Sequence, residues 1–268
     1  MQSESTRLSV KTTDSMRTDI AWSDEERIVV RGLDLPTEII GKFNLGDFAF
    51  FEFTGRKPSK DESAVFNALA ITLVEHGLTP SVLASRLTFL GAPESLQGAV
   101  AAGLLGLGST FAGTMEGAAR FLQESLSESP LDADLDSTAR SIVMDHRRNG
   151  KHLPGLGHNL HKQGDPRTPA LFNLARIHGF SGRYVELMQK VESAAAEEYG
   201  RTLPINATGA IGAIGSELGL HWTSMRGIAV IARSIGLVAH ILEESKKPMA
   251  RSIWDRTENE ATSHLRGK

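Results

Sequence analysis

IAVIARSIGLVAH, residues 228–240, is the stretch on which the fold turns. Its apolar residues continue for more than three helical turns without the strict alternation of a half-buried strand. One arginine, Arg233, interrupts them. A buried guanidinium is costly unless something pairs with it. Two readings of Arg233 stand side by side: a salt bridge to a core carboxylate, or an anion site. The run 228–242 is also broken by His240, and reads as too short and too polar to span a bilayer.

Working outward, the same helical character fills most of the chain. After Pro58, Ser59 or Ser63 can cap a helix reaching about His76, with Val65, Phe66, Leu69, Ile71 and Leu73 on one side. Gly77 closes it. Thr79 as N-cap and Pro80 at the first helical position open another. Residues 94–107 are rich in Ala, Leu and Gly, which predicts a buried helix that neighbours approach closely. Helices are also expected over 115–126, 134–149, 168–178, 182–198, 209–218 and 223–244. Residues 1–17 read as a polar tail, and 18–33 as one or two small strands or an irregular lead-in. The fold class is therefore all-α. One sizeable turn-rich loop, 150–167, sits among the helices, and loops on a rigid scaffold often carry function.

Composition narrows the function classes. The 268 residues are 40% apolar with a net charge of −3, so a substantial core is expected. Acids and bases are interspersed, and no basic stripe suggests a nucleic-acid partner. There is no cysteine, which excludes disulfides, zinc-thiolate sites and thiol nucleophiles. The polar start has no apolar core of a signal peptide, and a cytoplasmic protein is expected.

The loop carries the candidate chemistry. In LPGLGHNLHKQGDPR (153–167), glycines frame His158 and a DPR step follows. His158 and His161 lie three apart, but Pro154, Gly155 and Gly157 oppose a helix there. No HExxH pattern supplies a third ligand, so no metal site is expected. GLLGLGSTFAG (103–113) lacks GxGxxG spacing and follows no strand, which favours helix packing over nucleotide binding. His76, before Gly77, fits a helix C-terminus where the dipole favours a cation.

Taken together, these pieces resemble the citrate synthase superfamily, most nearly its citryl-CoA lyase branch, which includes the lyase module at the end of ATP-citrate lyase. GLGH (155–158) and DPR (165–167) match the family's G-[FIL]-G-H and D-P-R steps. EHGLTPS (75–81) is similar to its DHG-TPS step. GSTFAG (108–113) resembles the lyase branch's G-x-x-F-G-G, and LPINATGAIGA (203–213) the L-x-x-N-V-D-G stretch. ARSIGLVAH (232–240) resembles A-R-x-x-G-x-x-A-H, and MARSIW (249–254) the arginine step after it. The motifs run in order from about residue 28 to 256.

The resemblance implies a large helical domain (18–114 and 208–268) and a small helical domain (115–207) around a cleft, in a dimer or dimer-based homo-oligomer. It implies that His158 and His76 belong to the catalytic pocket for an oxaloacetate-like group. Arg167 and Arg233 would bind carboxylates, and Arg251 would reach across from a partner subunit. The loop Leu153, Pro154, Gly155, Leu156 and Gly157 would help hold coenzyme A. The implied reaction is retro-Claisen cleavage of citryl-CoA, or a related 3-hydroxy-acyl-CoA, to acetyl-CoA and oxaloacetate. Citrate or methylcitrate synthase-like condensation and a non-catalytic polycarboxylate- or CoA-binding role are the alternatives.

Several positions depart from the family pattern. Phe111 stands where synthases carry a histidine, as it does in the lyase branch. Thr208 stands where the family has its aspartate, and residues 203–216 contain no aspartate. A threonine hydroxyl cannot act as a carboxylate base near neutral pH. Ala112 replaces a glycine, and Asn159 follows His158 where relatives carry arginine or proline.

Overall fold

The computed structural model describes residues 16–127, 134–158 and 161–267. Asn159 and most of the expected tail lie outside these. The backbone divides into two compact units, residues 1–57 and 58–268.

In the first unit, Ala21–Ser23 (β1), Ile28–Val30 (β2) and Leu33–Asp34 (β3) form a small antiparallel sheet. This is one strand more than expected. A short π-helical turn, Leu35–Ile39, follows, capped by Asp34 at Thr37 N. Helix α1, Leu45–Thr54, was not anticipated; its aromatic run (DFAFFEF) has no clear helical period. Asn44 caps it, and Phe43, Phe48 and Phe51 cluster with ring centroids 5.6–6.3 Å apart.

The second unit is helical. Lys60–Val74 (α2) begins with a full capping box between Ser59 and Glu62. Pro80–Gly91 (α3) starts at Pro80 as predicted. Thr79 occupies the cap position but makes no side-chain cap bond, because its hydroxyl is buried without a partner among the described residues. Leu96–Leu105 (α4) corrects the expectation of a buried helix. Only Ala99 and Gly103 are fully buried, and Leu105 is 86% exposed. Its glycine does serve packing: Ser81 Oγ donates to Gly103 O at 2.6 Å, and Leu237 lies against the same residue.

Gly113–Ser127 (α5), Leu135–Arg148 (α6), Arg167–Ile177 (α7) and Arg183–Tyr199 (α8) follow the predicted segments within a few residues. Ala207–Glu217 (α9) is buried from Gly209 to Ser216 and packs on α5 and α8. Trp222–Lys246 (α10) packs on α2, α3, α4 and α5. At 25 residues the whole helix, longer than the run 228–242, is long and apolar enough, by length and composition, to cross a membrane. Here it is a core helix: Met225, Ile228, Ala232, Leu237 and Ile241 are buried. Ala250–Thr262 (α11) was also unforeseen, because its polar sequence buries Ala250 alone.

Candidate active site

A cleft of about 1180 Å³ opens in the second unit. Its walls come from the α2–α3 turn, the segment before α5, the loop 150–158, the start of α9 and the middle of α10. Such a volume exceeds the usual range for a small ligand and suits an extended one.

The loop is shaped by its own backbone. Gly155 and Gly157 adopt left-handed φ values of +82° and +72°, which favour glycine. A Cβ on Gly155 would lie 2.5 Å from Gly209 Cα, so the loop sits directly on the start of α9. Gly157 N–H donates to Pro204 O at 2.7 Å, and Asn206 N–H donates to Gly155 O at 2.9 Å. Leu156 bridges to Ile205. This lacing delivers His158 to the cleft at the loop's end.

His158, His76 and His161 converge. Ring centroids are 5.6 Å apart for His76–His158, 5.9 Å for His76–His161 and 4.6 Å for His158–His161. One nitrogen from each lies within 4.8 Å of the others, so the third metal-capable histidine that spacing alone had not supplied is His76. The surroundings, however, are cationic. Arg167 and Arg233 line the same cleft. Asp165 is committed: its carboxylate accepts from Arg167 Nε at 2.9 Å, Arg167 Nη2 at 2.8 Å and Ala207 N at 3.0 Å. His161 N–H also donates to His158 Nδ1 at 3.0 Å, which occupies one of the lone pairs a metal would need. Charge and hydrogen bonding favour an anion over a cation.

That same bond assigns the tautomer. With Nδ1 accepting, the proton of neutral His158 resides on Nε2. Burial pushes the His158 imidazole below its ordinary value, and the neighbouring His161 and Arg167 push it further against Asp165. Burial likewise lowers His76, with Arg167, His158 and His161 adding to it. Both rings are neutral near pH 7, so His158 presents an N–H donor. Burial alone would raise Asp165; the bonds from Arg167 and Ala207 outweigh it and hold the carboxyl well below the usual carboxylate range.

Arg233 enters the cleft from the middle of α10. It is buried, and its Nη1 has no hydrogen-bond partner among the described residues. Burial lowers its affinity for its proton, with Arg167 adding to that and Glu75 opposing it. A desolvated guanidinium with an unused fork arm in a cleft is poised for a ligand carboxylate.

Arg251 is not brought to this cleft. It is exposed, pairs with Asp255 at 3.0 Å and lies over Trp254. Leu153, Pro154, Gly155, Leu156 and Gly157 all line the cleft. So do Phe111 and Thr208. Thr208 Oγ1 donates to Asn206 Oδ1 at 2.6 Å and lies 3.1 Å from Thr114 Oγ1. Sequence reasoning missed Thr114 and Asn206. It also missed the basic rim of Arg147, Lys151 and Arg201, scattered over three segments with no shared motif.

The chain is a helical protein whose cleft is lined by Arg167, Arg233, His76 and His158. The profile of the citrate synthase C-terminal domain family matches residues 44–254, and the chain belongs to that family. It is similar to the solved citryl-CoA lyase of Hydrogenobacter thermophilus: 32% identity, TM-score 0.77, covering 85% of this chain and 86% of that one. It is 25% identical to the ATP-citrate synthase beta chain protein 1 of Oryza sativa subsp. japonica over 84% of this chain and 38% of the relative. It is 24% identical to citrate synthase 2 of Bacillus subtilis over 80% of this chain and 55% of the relative. The chain thus spans less than two fifths of the length of the plant protein. ATP citrate lyase from Methanothrix soehngenii, solved with citrate and coenzyme A, shares the fold at TM-score 0.72 and 20% identity.

Proposed function

We propose that the protein cleaves citryl-CoA, or a closely related 3-hydroxy-acyl-CoA, to acetyl-CoA and oxaloacetate. One observation carries this: a buried guanidinium with an unused donor shares a cleft with a neutral histidine whose Nδ1 accepts from the backbone, which leaves the ring proton on Nε2. The similarity to a citryl-CoA lyase over nearly the same length supports it.

In this reading, Arg233 holds a substrate carboxylate, and Arg167 offers its remaining Nη1 to another. The tertiary hydroxyl gives its proton to solvent water, the adjacent C–C bond breaks, and the alkoxide becomes the ketone of oxaloacetate. The bonding electrons pass to the thioester as an enolate, which takes a proton from water at carbon to give acetyl-CoA. His158 donates from Nε2 to the oxygen that carries the charge, and His76 flanks the same group. Donors placed where charge develops contribute on the order of 10²–10³-fold each. The loop 153–157 would run along the thioester arm, and Arg147, Lys151 and Arg201 would face the phosphates of coenzyme A. Helices α5 to α8 would make up the small domain, residues 115–207. Helices α3, α4 and α10 expose Leu87, Leu90, Leu105, Ile231 and Ile235, a face suited to a second copy that could bring Arg251 to the site.

A second reading, binding without turnover, is favoured by Thr208. Its hydroxyl proton is engaged by Asn206, and it has no carboxylate to exchange protons with an α-carbon. The same fact disfavours condensation. The test is to incubate the protein with citryl-CoA and follow acetyl-CoA and oxaloacetate. Release of both is expected. No turnover with measurable citrate or CoA binding selects the binding reading, and citrate formation from acetyl-CoA and oxaloacetate overturns both.

A further inference from the structure

The motif on α10 contains more than its arginine. Arg233, Gly236 and His240 stand at i, i+3 and i+7, so they share one face of the helix. That face meets residues 74–76 at the end of α2. A Cβ on Gly236 would collide with the Val74 carbonyl and come within 2.7 Å of Glu75 Oε1. Gly236 therefore lets Glu75, the neighbour of the cleft residue His76, lie against α10. Glu75 is the acidic group whose charge acts on Arg233, yet Arg233 Nη1 donates no bond to it.

What holds Glu75 is His240. Its Nε2 lies 3.2 Å from Glu75 Oε2. Its Nδ1 lies 2.8 Å from Arg86 Nη2. Arginine has only donors, so Nδ1 must accept and the ring proton sits on Nε2, directed at the Glu75 carboxylate. Arg86 is itself fixed, fully buried and paired with Glu244 at 2.7 Å and with Glu243. Glu244 in turn caps α11 by accepting from Met249 N and Ala250 N, each at 2.8 Å. A line of charged and polar groups thus runs from the α10–α11 corner to the edge of the cleft.

We infer that His240 is a positioning residue: anchored by Arg86, it holds the Glu75 carboxylate beside Arg233 but off it, leaving the guanidinium open to the substrate carboxylate. Glu75 is about half exposed and, once released, can turn towards Arg233. It would then compete with the substrate as an internal carboxylate. This rests on the anion-binding reading of the cleft, and predicts a defect that removing the Glu75 charge repairs.

The experiment compares His240→Leu, His240→Gln, Glu75→Gln and His240→Leu/Glu75→Gln. Citrate affinity is read by calorimetry, and KM and kcat for citryl-CoA by product release. His240→Leu should weaken citrate binding and raise KM about ten-fold with little change in kcat. His240→Gln, which keeps a donor, should stay within about three-fold of wild type. The double variant should recover most of the affinity. A defect in His240→Leu that Glu75→Gln leaves uncorrected, or no defect at all, overturns the inference.

A substrate-free readout separates this from the functional proposal. In denaturant unfolding, the coupling between Glu75→Gln and Arg233→Gln should be larger in the His240→Leu background than in wild type. Equal coupling overturns the positioning role. If the wild type binds no polycarboxylate, the proposed function fails, while the coupling still decides what His240 does.

Discussion

At the scale of single residues, Arg233 and Arg167 are both guanidinium groups in one cleft, yet their states differ. Arg167 is committed through two nitrogens to Asp165, whereas Arg233 keeps an arm unpaired. Arg233→Ala should therefore weaken citrate binding by more than ten-fold, since hydrogen bonds to charged groups are worth about 1.5–3 kcal/mol; calorimetry checks this, and an unchanged affinity removes Arg233 from the pocket. The histidines offer a second test. Arg167 lowers both His76 and His158, and its loss would also free the Asp165 charge, so Arg167→Gln should move both titrations upward. Proton resonances of the two rings, followed through pH 5–8, read this directly. His158 and the arginines were legible because each sits in a short motif. The tautomer of His158 was not, because it depends on the backbone N–H of His161. Nor could one sequence tell that Arg251 lies away from this cleft, or that Thr208 gives its proton to Asn206.

At the scale of elements, caps and glycines decided what could be anticipated. The start of α2 was readable from Ser59 and Glu62, and the bonds form as the pattern requires. Ser59→Ala should lower stability by about 1 kcal/mol, seen as a lower denaturant midpoint with unchanged slope. Pro80 and the long apolar run of α10 were equally plain. Helices α1 and α11 were not. The first is aromatic on nearly every side and the second polar on nearly every side, so neither offers a stripe to count. Helix α4 misled for the opposite reason. Its small apolar residues suggested burial, whereas packing against α3 and α10 fully buries only Ala99 and Gly103.

At the scale of the whole molecule, acid sensitivity follows from Asp165. Its folded value lies below its unfolded one, so the stability it contributes is present above about pH 4 and is lost as pH falls through the folded value. Glu244 is lowered too, by its bonds to α11 and Arg86 against the effect of burial. Melting temperature should decline below about pH 4, and Asp165→Asn should be less stable at pH 7 and flatter across that limb. A decline unaltered by the substitution would place the acid response elsewhere. Family membership was legible in the order of the motifs, because the same few groups recur at spacings that helices and turns preserve. The two-unit division at Lys57 was not, since no change of composition marks it.

Gly155 and Gly209 touch with no side chain between them. Two backbones so joined have no cushion that could compress or rotate to absorb displacement. Whatever draws residues 153–158 toward an occupant of the cleft must carry the first turn of α9, and Thr208 with it, as one piece.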